Sequence, residues 1–455
     1  MERTTQASEP EALSAVLSAQ LGRLIQEVSA WVQAEPRCLE EIEAQTVGAL
    51  RALGTALLEG VVGLATATPS PAPTLSCRCG QTARLVRSRP ATVRTVLGTI
   101  TVARPYYHCT AWHHGTVPVD AALGLVAGST SAGLDELLAL LGAQEDSFAQ
   151  GAAVLEKLTL VHVCPNLVRA ATERLGQDLG AAEAGTVAAA WHGAPVPSPG
   201  SAPTRRYVSL DGVLVPTDGG WRECKLGTVY ATVSRPAPRH PDEMVLRAPE
   251  ASFVALVDGP EPFGQRLWCE AARRGVLDAV EVVALGDGAH WIWNVVAEHF
   301  PTARQIVDWY HAVAYLEPAG AAIYGEGSDL ARQWVRQQRN ALWAGDVPAV
   351  LTALQHHRRA GPAVQAAQTY YTHNQDRMDY PAYRAAGLQV GSGPIESGCR
   401  HVIGMRLKGA GMHWGLAGVQ AVATVRAWLK SGRWDEAMAL RSRRCRTYHC
   451  QHQTA

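Results

Sequence analysis

Arg205-Arg206-Tyr207-Val208-Ser209-Leu210-Asp211-Gly212-Val213-Leu214-Val215 is the stretch on which the reading of the fold turns. Its valines, leucines and tyrosine are strand formers, and the Asp218-Gly219-Gly220 that follows is a turn signal. Residues 221–234 then read as the returning strand of a hairpin, and 252–257 as a third strand. Downstream the pattern alternates. Residues 263–274 read as a helix, 280–285 as a strand ending in Gly286-Asp287-Gly288, 291–300 as a helix and 304–307 as a fifth strand. Hairpin strands followed by strand–helix alternation predict an α/β fold, a mixed sheet with helices on both faces. From about 312 to 390 the chain is helical in composition and carries Trp334, Arg336, Arg339, Trp343, Arg358 and Arg359. That segment predicts an all-α insertion.

Two Pro/Gly/Ser-rich stretches lie upstream, Thr68-Pro69-Ser70-Pro71-Ala72-Pro73-Thr74 and the run from Gly193 to Pro203, and both read as linkers. Residues 1–67 have helical spacing of Leu13, Val16, Leu17, Leu21, Leu24 and Ile25. Residues 75–120 read as short strands around a cysteine cluster, and 121–192 as helices. Ser131 is placed to cap one helix, whose Leu134, Leu137, Leu138 and Leu141 share a face. A further helix–turn–helix pair is expected from Pro165 to Arg174. Such pairs read DNA in some proteins and are plain packing units in others. The expected organisation is a helical region at 1–67, the cysteine region at 75–120, a second helical region at 121–192, an α/β domain at 205–435 and a basic tail at 436–455.

With 47% apolar residues, the 455-residue chain is able to bury substantial cores, which excludes intrinsic disorder. The most apolar candidate for a membrane span, residues 49–68, carries Arg51 and Glu59, which argues against one. The first residues lack the basic-then-apolar layout of a signal peptide. Ten cysteines, mostly scattered singly, fit reduced thiols in the cytoplasm better than a disulfide framework. Net charge is zero, with 41 bases against 41 acids, but it is unevenly spread. Residues 1–70 hold nine acids and four bases, whereas residues 396–455 hold three acids and ten bases. All six bases between 71 and 110 are arginines, with no acid among them. Such asymmetry marks a nucleic-acid surface or a solvated basic face.

Three carboxylates stand out by position. Asp211 lies within or at the end of the first strand, Asp287 lies at the tip of a later strand, and Glu396 sits in Gly391-Ser392-Gly393-Pro394-Ile395-Glu396-Ser397-Gly398. Strand ends of an α/β sheet are where ligands bind. Pro394 suits the first turn of a helix running to about Lys408, and an acid there is favoured by the helix dipole. Singly, each acid is equally at home as a turn or cap residue. Together they are able to hold two divalent ions about 3.5–4 Å apart for in-line phosphoryl chemistry. Arg400, Arg406 and Lys408 follow on the same helix, then His413 and Trp414, then a helix at 416–430 expected to expose Arg426 and Lys430. Cations around a metal-binding acid suit a polyanionic substrate. His413 and Trp414 could contact nucleotides or belong to the core.

Asp211-Gly212-Val213, Leu285-Gly286-Asp287-Gly288-Ala289, Asp308-Trp309-Tyr310-His311, the Glu396 segment and Arg406-Leu407-Lys408-Gly409-Ala410-Gly411-Met412 resemble, in order and spacing, bacterial insertion-sequence transposases of the ISKra group. These are DDE enzymes related to the Mutator-like superfamily, and the resemblance runs from Leu75 to about Trp434. It implies a ribonuclease-H-like catalytic core whose all-α insertion precedes the final glutamate, with Asp211, Asp287 and Glu396 as the catalytic triad binding Mg2+ or Mn2+. Asp308 and His311 match that superfamily's short Asp/Cys-x-x-His signature, expected to support the site, contact DNA or form a buried structural pair. Cys77, Cys79 and Cys109 fall where related proteins carry zinc-ribbon cysteines. Tetrahedral zinc wants four ligands, usually from pairs separated by two to four residues. Here a single residue separates the first pair, and Trp112 stands where another cysteine is expected. His113 or His114 could substitute, so the expected zinc set is Cys77, Cys79, Cys109 and His113, with a metal-free ribbon as the alternative.

The implied activity is metal-dependent phosphodiester hydrolysis at the ends of a mobile element, followed by strand transfer into target DNA. Its partner is double-stranded DNA, its setting a bacterial nucleoid, and joining two ends calls for a homo-oligomer. A DNA-binding repressor that keeps the fold without catalysis is the alternative. A two-carboxylate glycosidase is disfavoured by the basic helix carrying Glu396.

Overall fold

A computed structural model describes residues 9–66, 71–125, 130–200, 203–237 and 240–441. The chain forms two compact units, one comprising Met1–Thr172 with the C-terminal segment from Asp435, the other Glu173–Trp434. Cys445, His449, Cys450 and His452 lie outside the described residues, as does the basic tail beyond Arg441.

The first unit begins with α1 (Glu9–Ala34) and α2 (Leu39–Thr66). By length and composition alone α2 is apolar enough to cross a membrane. Three of its polar side chains nevertheless bond the hairpin that follows. Arg51 Nε and Thr55 Oγ1 each donate to Leu97 O at 2.8 Å, and Glu59 Oε1 accepts from Thr101 N at 2.9 Å. β1 (Thr74–Ser76), β2 (Thr82–Arg94), β3 (Thr99–Cys109) and β4 (His114–Thr116) pair in sequence order as an antiparallel sheet. β2 and β3, at 13 and 11 residues, are longer than the short strands expected. Their far end buries Val93, Ile100 and Val102 against Leu58 and Val62 of α2.

Four helices follow: α3 (Pro118–Ala122), α4 (Ala132–Gln144), α5 (Phe148–Thr159) and α6 (Pro165–Trp191). Ser131 caps α4, its Oγ accepting from Leu134 N at 3.2 Å. Leu134 and Leu138 are fully buried, with Leu137 and Leu141 packed at the edge of the same cluster. The division between units falls inside α6, at Thr172/Glu173, rather than at the linker after residue 192.

The second unit is a mixed α/β body. Its strands are β5 (Arg205–Thr217), β6 (Gly220–Tyr230), β7 (Val233–Ala237), β8 (His240–Arg247), β9 (Ser252–Leu256), β10 (Glu281–Gly286) and β11 (Arg304–Val307). Helix α7 (Pro260–Arg273) precedes β10, and α8 (His290–His299) precedes β11. Five strands make one sheet in the order β11-β10-β5-β6-β9. β5, β6 and β9 are antiparallel, whereas β10 and β11 run parallel to β5. Tyr207, Val208, Ser209 and Leu210 are all buried, as befits a central strand covered on both faces. The expected second strand at 221–234 stops at Tyr230, and the chain then forms a separate ribbon, β7–β8.

Neighbouring residues on a strand point to opposite faces, which places the covering helices. A side chain at Gly227 would meet Leu267 and Phe263 of α7, whereas Leu226 packs against the helix that carries Glu396. Between β11 and that helix come α9 (Trp309–Ala314), α10 (Leu316–Tyr324), α11 (Asp329–Trp343), α12 (Val347–His356), α13 (Pro362–Asn374) and α14 (Tyr380–Ala385), an all-α insertion. Buried tyrosines tie it to the sheet. Tyr370 OH donates to Asp287 O at 2.7 Å, Tyr380 OH to Val307 O at 3.2 Å and Tyr383 OH to Gln305 O at 3.3 Å. Each buried hydroxyl thus has an acceptor, and each caps a carbonyl at or near a strand end.

Candidate functional site

Asp211 sits in the middle of β5, not at its end. The parallel pairing with β10, however, stops at Leu285↔Ser209, two residues short of both Asp287 and Asp211. The two aspartates therefore leave the paired region at the same level. Asp287 Oδ1 accepts from Ala289 N at 2.8 Å, a turn that starts α8. Gly288 in that turn has φ +103°, and a Cβ there would lie 2.6 Å from the Tyr370 ring. The insertion thus closes over the Asp287 loop.

Glu396 lies on α15 (Gly393–Gly398), which continues as a π-helical segment, Cys399–Gly404, into α16 (Met405–Leu407). This is the helix expected from Pro394 to about Lys408, with wider winding in its middle. π-Helical segments concentrate at functional sites. Gly398 is what brings α15 down on the sheet. A Cβ there would lie 2.7 Å from Phe253 and 2.9 Å from Leu226. Leu226 pairs with Asp211 across the hairpin, so α15 docks on the face that carries Asp211.

The next residue, Cys399, donates its thiol to Asp211 Oδ2 at 3.1 Å. Burial pushes the Asp211 carboxyl above its ordinary value, and the charges of Asp287 and Glu396 add to the rise. The three acids therefore lie in one another's field. Among the described residues they are not drawn into a tight cluster: only Cys77, Cys79 and Cys109 bring three ligand atoms within 4.8 Å of one another.

Asp308 is fully buried at the end of β11, where it caps α9. Its Oδ1 accepts from His311 N at 2.7 Å and from His311 Nδ1 at 3.0 Å, while Oδ2 accepts from Ser392 N at 2.5 Å. Burial alone would raise this carboxyl, but the His311 ring and the two backbone N–H groups hold it below its ordinary value. His311 in turn is pushed up to about 9, first by its hydrogen bond to Asp308 and also by the charges of Asp308, Asp287 and Glu396. Its Nδ1 stands 3.8 Å from Glu396 Oε1. Ser392 Oγ donates to Glu396 Oε1 at 3.2 Å. Asp308 is thus a buried clamp between the strand end, the His311 ring and the turn that launches Glu396.

The cations divide. Arg400, Lys408 and His413 are exposed, as a surface role requires. Arg406 and Trp414 are not: both are buried, with the Arg406 guanidinium 5.0 Å from the Trp414 ring centroid and Trp414 Nε1 donating to Leu407 O at 3.2 Å. Arg426, expected to be exposed, is also buried. It lies on α17 (Leu416–Lys430) and donates from Nε to Val402 O at 2.6 Å. These two arginines satisfy carbonyls and rings of the helical layer around the π segment, and their charge belongs to the interior.

In the first unit, Cys77 and Cys79 flank a turn closed by Gly80 N donating to Cys77 O at 2.9 Å. That turn lets a pair with one intervening residue face one centre, and Cys79 Sγ lies 3.6 Å from Cys109 Sγ. Burial raises the Cys109 thiol, but N–H groups of Trp112 and Ala111 and the neighbouring cysteines bring it below its ordinary value. The Cys77 thiol, lowered by the N–H of Cys79, is held above its own by burial and the other two cysteines. A thiolate is what a soft metal requires. His113 does not join the three. It sits exposed in a left-handed turn with φ 51°. The cluster is a three-cysteine site able to hold a metal such as zinc, without the expected histidine.

Sequence reasoning missed Cys399, Ser392 and Tyr370. Cys399 had a signal, since a residue three beyond Glu396 shares its helical face. Comparison with family models finds no match for this chain, and comparison with curated proteins finds none either.

Proposed function

We propose that the second unit is a ribonuclease-H-like polynucleotidyl transferase of the DDE transposase kind, cutting the ends of a mobile element and joining them to target DNA. The observation that carries this reading is the placement of Asp211 and Asp287 by two neighbouring central strands and of Glu396 by a helix docked on the Asp211 face. Two neighbouring parallel strands deliver the aspartates at one level, and the Gly398 contact docks the glutamate helix on the same face. Three antiparallel strands followed by two parallel ones, in the order β11-β10-β5-β6-β9, support the ribonuclease-H-like assignment.

Two Mg2+ or Mn2+ ions on these carboxylates would supply an activated nucleophile and charge stabilisation for the leaving oxygen. The chain's own groups do the remaining work. Asp308 fixes His311 and the Ser392 turn, which orient Glu396. Exposed Arg400, Lys408 and His413 follow the acid in sequence and suit the phosphates of a duplex. No serine or tyrosine nucleophile is needed, because water and a DNA 3′-hydroxyl are the attacking groups. Joining two ends in concert calls for two or more copies of the chain.

The test is nicking, with Mg2+ or Mn2+, of DNA taken from the two sides of the coding region, where inverted repeats are expected. Wild-type protein is expected to nick it, and Asp287→Asn to bind it without nicking. A wild-type protein that binds such DNA and cuts it with neither metal would replace the enzyme by a DNA-binding protein of the same fold.

A further inference from the structure

The β2–β3 hairpin carries a basic face that none of the site residues above use. Directly opposed residues of an antiparallel pair share a face, and successive residues alternate. Arg84 opposes His108, whereas Arg87, three residues on, would ordinarily point to the other side. The register slips between Leu85 and Arg87, so that Val86 is an extra residue and Arg87 opposes Tyr106. This bulge returns Arg87 to the face of Arg84. Arg89, opposing Arg104, follows on the same face. The opposite face holds Leu85, Tyr107 and Cys109, which close a small core with Cys77 and Ala83.

One side of the ribbon therefore seals the cysteine cluster, while the other presents Arg84, Arg87 and Arg89. All three are exposed, and neither strand contains an acid. Arg104 differs, being bonded to Asp120 through Nε at 2.6 Å. Arg87 lies 5.8 Å from the Tyr106 ring centroid, which steadies its guanidinium over the ribbon. Further along, the same face turns apolar and is covered by Leu58 and Val62 of α2 and by Val119 of α3, so among the described residues the arginine end is the exposed one.

We propose that this face binds duplex DNA through its phosphate backbone, holding the substrate of the activity proposed above, on which the inference rests. Two register steps separate successive arginines, about 7 Å at the rise of a strand. A DNA strand presents a phosphate every ~3.4 Å of axis, so three such cations track one backbone. A two-stranded ribbon also fits the major groove, about 12 Å wide. The three arginines hold phosphates, and the bulge at Val86 aligns them.

The experiment measures affinity of the full chain for a mixed-sequence duplex across a salt series. Arg84→Ala/Arg87→Ala/Arg89→Ala is expected to reduce the slope of log affinity against log salt by roughly 0.9 for each arginine. The triple Arg→Lys variant is expected to keep the slope. Arg94→Ala, which removes an exposed charge from the other face of β2, is expected to leave it unchanged. Single Arg87→Ala gives one step of the same reading should the triple alanine variant not fold. An unchanged slope in the alanine variants, or an equal loss in Arg94→Ala, overturns the proposal. Nicking is scored separately. A chain that never nicks defeats the enzymatic reading while the ribbon's slope still reports DNA binding.

Discussion

The carboxylate of Asp308, at the end of β11, accepts from the backbone N–H of Ser392 at 2.5 Å across 84 residues of sequence. One buried acid thereby fixes where the helical insertion leaves the sheet and where it returns. Asp308→Ala leaves the N–H groups of His311 and Ser392 and the His311 ring without their acceptor. Breaking such a buried charge network costs about 3–5 kcal/mol. Asp308→Asn keeps one acceptor oxygen and is expected to lose about 1–3 kcal/mol. Denaturant unfolding checks both, and an alanine variant as stable as wild type would remove the clamp from the account.

Cys399 is expected to act on Asp211 through orientation. Cys399→Ser keeps a donor on the same carboxylate oxygen and should nick with near wild-type metal dependence. Cys399→Val removes the donor, and the metal concentration for half-maximal nicking should rise several-fold while the melting temperature stays close to wild type. Equal metal dependence in the serine and valine variants would show that the thiol only fills space.

Gly288 combines a left-handed backbone with the Tyr370 ring 2.6 Å from where a Cβ would stand. Gly288→Ala is expected to cost about 2 kcal/mol or more, through backbone strain and the displaced ring. Tyr370→Phe should partly relieve the loss, because the ring is then freed from the Asp287 carbonyl. A double-mutant cycle measures that coupling, and strictly additive losses would separate the two residues.

Much of the second unit's sheet was legible in local pattern. The runs around Val208, Val283 and Ile306 are apolar because both faces of those strands are covered, and Gly-Asp-Gly after Leu285 marks a strand tip. What escaped depends on partners distant in sequence. The β7–β8 ribbon looks like an extension of its predecessor until pairing is known. Arg406 and Arg426 read as surface cations because nothing local reveals the tryptophan ring and helix carbonyls that receive them. The bulge at Val86 is likewise invisible without the register of β3. Residue type and position point to the three acids, and the family resemblance to three of the cysteines, whereas His113 is close to them in sequence alone and a left-handed turn carries it out to solvent.

Metal content separates those two choices. The chain is expected to hold about one zinc in its first unit, and Cys109→Ser or Cys77→Ser to lose it. His113→Ala should keep it, because the three thiols lie together without that ring. Elemental analysis after dialysis provides the readout. Zinc loss on His113→Ala would restore the histidine as fourth ligand and require the turn at 110–113 to reverse.

Arg406 separates a cation available to the proposed DNA substrate from one that holds the protein. It is buried against Trp414, one helical segment beyond Glu396. Arg406→Lys loses the planar guanidinium that stacks on the indole, and Lys is not an equivalent at a stacked, desolvated site. It is expected to lower stability by about 1–3 kcal/mol and leave the salt slope of DNA binding unchanged. Lys408→Ala, two residues on and exposed, should behave oppositely, with little change in stability and a slope smaller by roughly 0.9. Parallel unfolding and salt titrations of the two variants decide the matter, and a slope that falls for Arg406→Lys would return that arginine to the DNA surface.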